Sequence, residues 1–344
     1  MSEIAGVGRH VLDVAHAGIP GWELRFLLPH GPLHDELSAK GLTAGLEFGT
    51  QAGVRRSAKA VAQAARAQRA DVIHSHLAWA DLVAAVPRLG GSIRISTEHG
   101  IAGDRATYAN GRADGAVTAL AHIARMRRTR GIIGVSEATA QAVRDRWRPT
   151  QRTDVRVVRN GIDRLDPSAI ALGVPGRAVV GYLGRFAPEK RVDLLVRAFA
   201  ELAGRDQQAM LALAGSGETE PMLRRLVSQL GLTERVRFDG WVNSAQWLGG
   251  VDVLCLPSVW ENCSYAILEG LARGVGVVAA PVGGNPELLP RGALADPTDG
   301  GSFANAIAAQ LNDCSKRPGL PNFVPSVPVM TLQIAAAYAD WAFN

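Results

Sequence analysis

The chain has 344 residues, 47% of them apolar, with 33 Arg, four Lys and a formal net charge of +5. That length predicts two domains with a core in each, and the composition excludes a disordered or fibrous chain. No apolar run approaches the roughly 18 residues of a membrane span, and the N-terminus lacks the basic-then-apolar order of a signal peptide. Cys255, Cys263 and Cys314 have no spacing that fits a disulfide framework or a zinc ligand set. A soluble cytoplasmic protein is expected.

The charge is uneven. Up to Asp163 there are 22 Lys and Arg against 15 Asp and Glu, a net +7, and the remainder is net −2. Arg125, Arg127, Arg128 and Arg130 cluster in this basic part, and Arg55, Arg56, Arg66 and Arg69 fall on another predicted helix. Such a surface attracts anionic substrates or an anionic membrane, so peripheral association with the inner face of the plasma membrane is one expectation. A solvated Arg-rich surface is the plainer alternative. Nucleic acid is not an expected partner, because the patches have no interleaved aromatics and no binding module.

In chain order, Gly6-Val7-Gly8 opens a helix over 7–17 with no strand before it. Strands at 23–28 and 42–48 flank a Pro/Gly turn, and then come helix 53–69, strand 72–75, helix 80–89, strand 93–97, a Gly-rich loop over 100–115 and helix 116–128. Strand 131–135, helix 137–147 and strand 155–158 lead into Asn160-Gly161-Ile162-Asp163. Residues 166–177, with Pro167, Gly173, Pro175 and Gly176, read as a linker. A second alternation follows: strand 178–184, helix 192–202, strand 210–214, helix 221–230, strand 236–238, strand 251–256, helix 264–273 and strand 275–280. It closes with a short strand near Ala293, helix 302–312, a Pro-rich passage over 318–328 and helix 330–343.

Short apolar strands alternating with helices predict α/β architecture with doubly wound parallel sheets. The expected division is a Rossmann-like domain over 1–163, a second over 164–325 facing it across a cleft, and a C-terminal helix in 326–344 that packs back toward the first. Ligands are expected at the carboxyl ends of the strands.

The segment from Val251 to Leu289 is the densest in chemistry. It carries Glu261 before a helix and Glu269 inside it, eight positions apart and so at most roughly 12 Å along a helix axis. Gly181-Tyr182-Leu183-Gly184-Arg185 leaves a strand and reaches Lys190, one of only four lysines. A compact ammonium and a planar guanidinium beside a helix start make a diphosphate clamp; a surface salt bridge from Lys190 to Glu189 is the plainer alternative. Ala214-Gly215-Ser216-Gly217 and Gly283-Gly284 likewise follow strands, where glycine lets backbone N–H groups approach an anion. Three such turns in one half point to a nucleotide site.

In the first half, Gly6-Val7-Gly8 offers amides to a phosphate, but Val11 stands where a dinucleotide-binding loop needs glycine. His99 follows a strand end, in reach of a sugar hydroxyl or reacting centre. His74 and His76, on either side of Ser75, are read as lying on opposite faces of a strand, which argues against a metal pair.

Arg185 with Lys190, Ala214-Gly215-Ser216-Gly217, Pro257-Ser258 followed by Glu261 and Glu269, and Val282-Gly283-Gly284 with Pro286-Glu287 resemble the donor-site signature of the family 4 retaining glycosyltransferases of the GT-B fold. Gly6-x-Gly8-Arg9-His10-Val11, Thr97-x-His99-Gly100, Val135-Ser136-Glu137 and Asn160-Gly161-Ile162-Asp163 resemble that family's first-domain landmarks, in the same order. The resemblance implies transfer of a sugar from an NDP-sugar, UDP-sugar favoured over GDP-sugar, to a glycan, lipid-linked or small-molecule acceptor, without a metal or other cofactor.

By the same resemblance, Arg185 and Lys190 hold the diphosphate and stabilise the leaving charge. Glu269 accepts the ribose hydroxyls and Glu261 sits by the transferred sugar. Backbone around Asn262, Cys263 and Ser264 and at Gly283 and Gly284 touches sugar hydroxyls and phosphate, and Gly184, Gly215 and Ser216 complete the nucleotide side. His99 lines the sugar pocket from the facing domain, and Gly6 and Gly8 complete the cleft. The chain departs from the family in two places. The family begins with an apolar strand leading into the first glycine loop, so the first strand of the N-terminal domain is read as missing. Asn262-Cys263-Ser264-Tyr265 stands where an aromatic-Gly pair is common, which leaves the donor sugar open. The alternative functions are a non-catalytic GT-B partner subunit and an NDP-sugar epimerase.

Overall fold

The computed structural model describes residues 6–87, 89–100, 120–164 and 178–343. They form two compact units, Met1–Gly161 with Pro325–Asn344, and Ile162–Val324. The expected loop beyond Gly100 and the expected linker 166–177 lie outside the described residues.

In the first unit the elements are α1 (Gly6–Ala17), α2 (Pro32–Ala39), α3 (Gly53–Ala67), β1 (Val72–His76), α4 (Ala78–Ala84), β2 (Ile93–Glu98), α5 (residues 120–126), β3 (Gly131–Gly134), α6 (Glu137–Trp147) and β4 (Asp154–Val157). The four strands are parallel in the order β1-β2-β3-β4. The Ser136-Glu137 landmark is a helix start: the Ser136 hydroxyl accepts from the Thr139 N–H at 3.1 Å, satisfying one of the amides that a first turn leaves unpaired.

The expected strands 23–28 and 42–48 do not form. They are reduced to a single parallel bridge between Phe26 and Thr43, because parallel strands persist where both faces are covered and these residues stay partly exposed. The intervening segment holds α2, started by Pro32, rather than only a turn.

Arg125, read from sequence as part of a basic surface cluster, is 3% exposed. Its guanidinium pairs with Asp81 at 3.1 Å and with Glu98, so two carboxylates and their counter-ion are buried together. Arg55, Arg56, Lys59, Arg66 and Arg69 do line an exposed face of α3 and its C-terminal turn, opposite buried Ala58, Val61 and Ala65.

The second unit contains β5 (Val179–Leu183), α7 (Val192–Arg205), β6 (Met210–Ala214), α8 (Glu220–Gln229), β7 (Val236–Gly240), α9 (Ser244–Leu248), β8 (Val253–Leu256), α10 (Tyr265–Ala272), β9 (Gly276–Ala279), α11 (Asn285–Leu288) and α12 (Gly300–Asn312). Its parallel sheet has the order β7-β6-β5-β8-β9. The chain winds outward from β5 in one direction, then returns and winds in the other, which places the topological switch point between β5 and β8. Phe199, Leu195, Leu211, Leu213, Phe303 and Ile307 are fully buried in its core. The strand expected near Ala293 is a 3-10 turn followed by one bridge, Leu294 to Ala279. Short α9, capped by the Asn243 side chain on the Gln246 N–H, has too few residues to show a helical period in sequence.

Helix α13 (Val327–Phe343) belongs to the first unit. It buries Met330, Ile334, Ala337, Tyr338 and Trp341 against Val14, Ile19, Ile95, Ile133 and Val158. Full burial of each large side chain is worth about 1.5–3 kcal/mol, so this helix is integral to that core. No described helix is long and apolar enough to cross a membrane.

Candidate functional site

The loops after β5 and β8 meet at the switch point of the second unit. After β5 the chain passes Gly184 and Arg185 into a 3-10 turn at Pro188–Lys190. After β8 it passes Pro257 and Ser258 to Glu261 and enters α10 at Tyr265. The Lys190 ammonium donates to Glu261 Oε1 at 2.5 Å, and the Ser258 hydroxyl donates to the same oxygen at 2.9 Å. Glu261 is 8% exposed, so its charge is held by these two donors rather than by water. The ammonium also lies 5.8 Å from the centre of the Trp260 ring.

Glu189 takes a different partner. Its carboxylate pairs with Arg185, while its carbonyl accepts from the Val259 N–H at 2.8 Å and ties the two loops together. The Lys190–Glu189 bridge left open by the sequence does not form. The Arg185 side chain is 64% exposed, which leaves its guanidinium accessible to an anion. Below it, the Tyr182 hydroxyl donates to the Arg185 carbonyl at 2.9 Å. Burial, reinforced by the charges of Glu261 and Glu189, raises the pKa of that phenol well above its usual value and keeps it a donor.

The glycine turns serve the approach of loop to loop. The Gly184 N–H is spent on the Ala214 carbonyl at 3.0 Å, the Gly215 N–H on Gly240 at 2.7 Å, and the Phe186 N–H on the Ser216 carbonyl at 2.8 Å. Gly215 has φ +126°, and a Cβ there would lie 2.0 Å from the Gly184 carbonyl oxygen. Gly283 has φ +53°, and its Cβ would lie 1.5 Å from the Glu261 carbonyl oxygen. These two positions admit only glycine, and Gly283 is thereby a backrest for the loop that carries Glu261. Gly284 precedes α11. Asn262 and Cys263 are buried beside Glu261, Ser264 takes the N-cap position of α10, and Glu269 is buried inside that helix at 5% exposure. The structure thus brings Arg185, Lys190, Glu261 and the three glycine turns to the carboxyl edge of one sheet.

The first unit holds a separate cluster. His10 comes from α1, His76 from the end of β1, and His99 from just past β2. His76 Nδ1 and His99 Nε2 are 2.9 Å apart, and the His10 ring centre lies 5.4 Å from that of His76 and 4.9 Å from that of His99. His74 packs on His76 with ring centres 4.4 Å apart. The expectation that His74 and His76 lie on opposite faces fails for an elementary reason: strand side chains alternate, so positions two apart share a face. Burial lowers the pKa of His10 to about 4 and of His74 to about 3; burial and the neighbouring imidazoles hold His76 and His99 well below 6.5. All four rings are neutral near pH 7. Gly6 opens α1 in an exposed position and Gly8 is buried in its first turn. Sequence reasoning selected His99 but not its ring neighbours His10 and His76, nor Asn160, which faces His10; the available signal was that each lies near the start of a helix or at or past the carboxyl end of a strand.

Residues 177–313 match the family model described as Glycosyl transferases group 1, and residues 4–164 match the model described as Glycosyltransferase Family 4. The chain is similar to D-inositol 3-phosphate glycosyltransferase 2 of Catenulispora acidiphila, 34% identical over 183 residues that make up 49% of this chain and 40% of the relative. It is also similar to the lipopolysaccharide core biosynthesis glycosyltransferase LpsE of Rhizobium meliloti, 35% identical over 49% of this chain and 51% of the relative. The matched region thus spans about half or less of the length of these curated relatives. Among solved structures, Anabaena HepE in complex with UDP-glucose has a TM-score of 0.75 at 21% identity, covering 98% of this chain and 93% of that one. Sucrose-phosphate synthase from Thermosynechococcus elongatus has a TM-score of 0.75 at 19% identity, with the same coverage.

Proposed function

We propose an activity from one premise: the chain belongs to the group 1, family 4 glycosyltransferases of the GT-B fold. The activity is transfer of a sugar from a nucleoside-diphosphate sugar, UDP-sugar before GDP-sugar, to a glycan, lipid-linked or small-molecule acceptor, with retention at the anomeric carbon. The observation that carries this reading is the Lys190–Glu261 pair across the switch point, a cation and a carboxylate placed where open α/β sheets bind nucleotides. The UDP-glucose complex of HepE supports the choice of UDP.

In this reading, Arg185 leaves Glu189 for the diphosphate, and Lys190 adds its charge as the bond from the anomeric carbon to the phosphate oxygen breaks. Both stabilise a charge that grows during the reaction. Their positive charge does the work that a metal ion does at other diphosphate sites, so donor binding requires none. The acceptor hydroxyl bonds to the anomeric carbon on the face the nucleotide leaves, and its proton goes to the departing phosphate. Glu269 holds the ribose hydroxyls and Glu261 the transferred sugar.

The exposed Arg55, Arg56, Lys59, Arg66 and Arg69 of the first unit motivate a peripheral association with anionic bilayers, at the inner face of the plasma membrane. Co-sedimentation with phosphatidylserine vesicles that does not fall with added salt removes that part of the reading.

The test of the activity is incubation with UDP- and GDP-sugars, read by thermal shift and by nucleotide release with a panel of acceptors. Binding of one donor class and acceptor-dependent release support the reading, and the anomer of the product tests retention. Absence of both binding and release overturns it, and sugar isomerisation in a donor-only incubation replaces it with an epimerase.

A further inference from the structure

We propose that His10, His76 and His99 form a binding site for one divalent ion of the zinc class, with three imidazole nitrogens as ligands and the fourth position open. One ring nitrogen from each residue lies within 4.8 Å of the other two. Tetrahedral zinc with bonds of about 2.0–2.1 Å holds its ligand nitrogens roughly 3.3 Å apart. That separation falls between the 2.9 Å from His76 to His99 and the outer limit of the cluster, so small ring rotations bring all three onto one ion.

Hydrogen bonding decides which nitrogen is available. His10 Nδ1 faces the Asn160 side-chain oxygen at 3.1 Å; that oxygen only accepts, so Nδ1 carries the ring proton and Nε2 carries a lone pair. His10 Nε2 is buried without a hydrogen-bond partner, in a residue 2% exposed. A buried acceptor with no donor is unfavourable, and a cation satisfies it. An outer-shell oxygen on the far nitrogen is also how metal-bound histidines are fixed in tautomer and orientation. The Asn160-Gly161 landmark thereby acquires a role as the orienter of His10.

His74 is excluded as a ligand because both of its nitrogens are engaged, Nδ1 by the Tyr338 hydroxyl and Nε2 by the Thr97 hydroxyl at 2.7 Å. It packs behind His76 and limits the motion of that ring. In the pair His76–His99 one ring donates to the other. Ligation shifts that proton to the outer nitrogen of the same ring, a change of tautomer with no proton released. The neutral state of the rings keeps the lone pairs available. An all-imidazole donor set suits zinc, copper or nickel better than magnesium or calcium. Three protein ligands and an open position characterise metal sites that accept a further ligand, as opposed to closed structural sites. The site lies wholly in the first unit and does not involve Arg185 or Lys190.

The test uses the full chain, dialysed against a chelator and titrated with Zn²⁺ in competition with a chromophoric chelator, and with Co²⁺ followed by visible absorption. The expected result is one ion per chain, with the visible bands of four-coordinate cobalt. His10→Ala and His76→Ala each weaken binding at least 100-fold, while His74→Phe changes it only a few-fold. Failure of the folded wild-type chain to take up one ion overturns the proposal, as does uptake that survives His10→Ala combined with His76→Ala. UDP binding in the same samples, which depends on the second unit, separates failure of this site from failure of the transferase reading.

Discussion

Lys190 Nζ lies 2.5 Å from Glu261 Oε1, and the two residues are 71 positions apart in the chain. They meet because β5 and β8 are neighbours in the sheet although two strands, β6 and β7, lie between them in sequence order. Lys190→Ala removes the cation and strands a buried carboxylate. The expected outcome is a fall in kcat of about 10²–10³-fold and a loss of about 1–3 kcal/mol of stability. Adding Glu261→Gln restores stability without restoring turnover, which urea midpoints and nucleotide release measure together. A Lys190→Ala chain as stable as the wild type contradicts the pairing.

Glu269 is buried inside α10, and the proposed reading has it hold the ribose hydroxyls. Glu269→Ala is expected to weaken UDP binding by about 10–100-fold, the range for a hydrogen bond to a charged group, with kcat at saturating donor changed far less. Calorimetric titration with UDP checks this, and unchanged affinity removes Glu269 from the site.

Two glycines give opposite expectations for the same substitution. Gly215→Ala places a methyl 2.0 Å from the Gly184 carbonyl at φ +126°, so a loss of about 1–3 kcal/mol and of donor binding is expected. Gly204→Ala, in α7 with open space around it, is expected to add about 0.5–1 kcal/mol. Thermal melting of the two variants reads both. Equal melting temperatures would show that the loops after β5 and β6 do not need this approach.

The contrast between these sites explains what was legible in the sequence. Arg185, Lys190 and Glu261, which the fold brings together at the switch point, sit in short segments that each follow an apolar strand, and that pattern is local. The two-domain α/β plan was legible for the same reason. The histidine cluster was not, because its members come from three elements and one ring is oriented by Asn160, 150 positions away. Arg125 looked like surface because a sequence shows charge but not the Asp81 and Glu98 that surround it. The runs at 23–28 and 42–48 have strand composition, but pairing partners and burial decide whether a strand forms.

The cluster also predicts a pH dependence. His10 is held neutral by burial, its pKa lowered from 6.5 to about 4, with His76 and His99 facing it and Asn160 on its other nitrogen. Above pH 6.5 folded and unfolded chains are both neutral at this ring and full stability is present. Between 6.5 and about 4 only the unfolded chain takes up the proton, so stability falls with pH across that window and levels below it. At 1.36 kcal/mol per unit, His10 alone contributes on the order of 3 kcal/mol. Urea midpoints measured in chelator at pH 7 and pH 5 check the effect; His10→Gln is expected to show a shallower dependence, and an identical slope would contradict it.

Helix α13 has a consequence for the order in which the molecule is made. Tyr338 meets His74 across 264 positions, and Trp341 packs against β3, so the first unit's core is closed by residues that leave the ribosome after the whole of the second unit. The second unit draws its strands and its core from one continuous stretch, so none of its core residues waits for a later segment of the chain. The first unit must hold its apolar surface open through that interval, which makes it the segment most exposed to aggregation and to chaperone capture during synthesis.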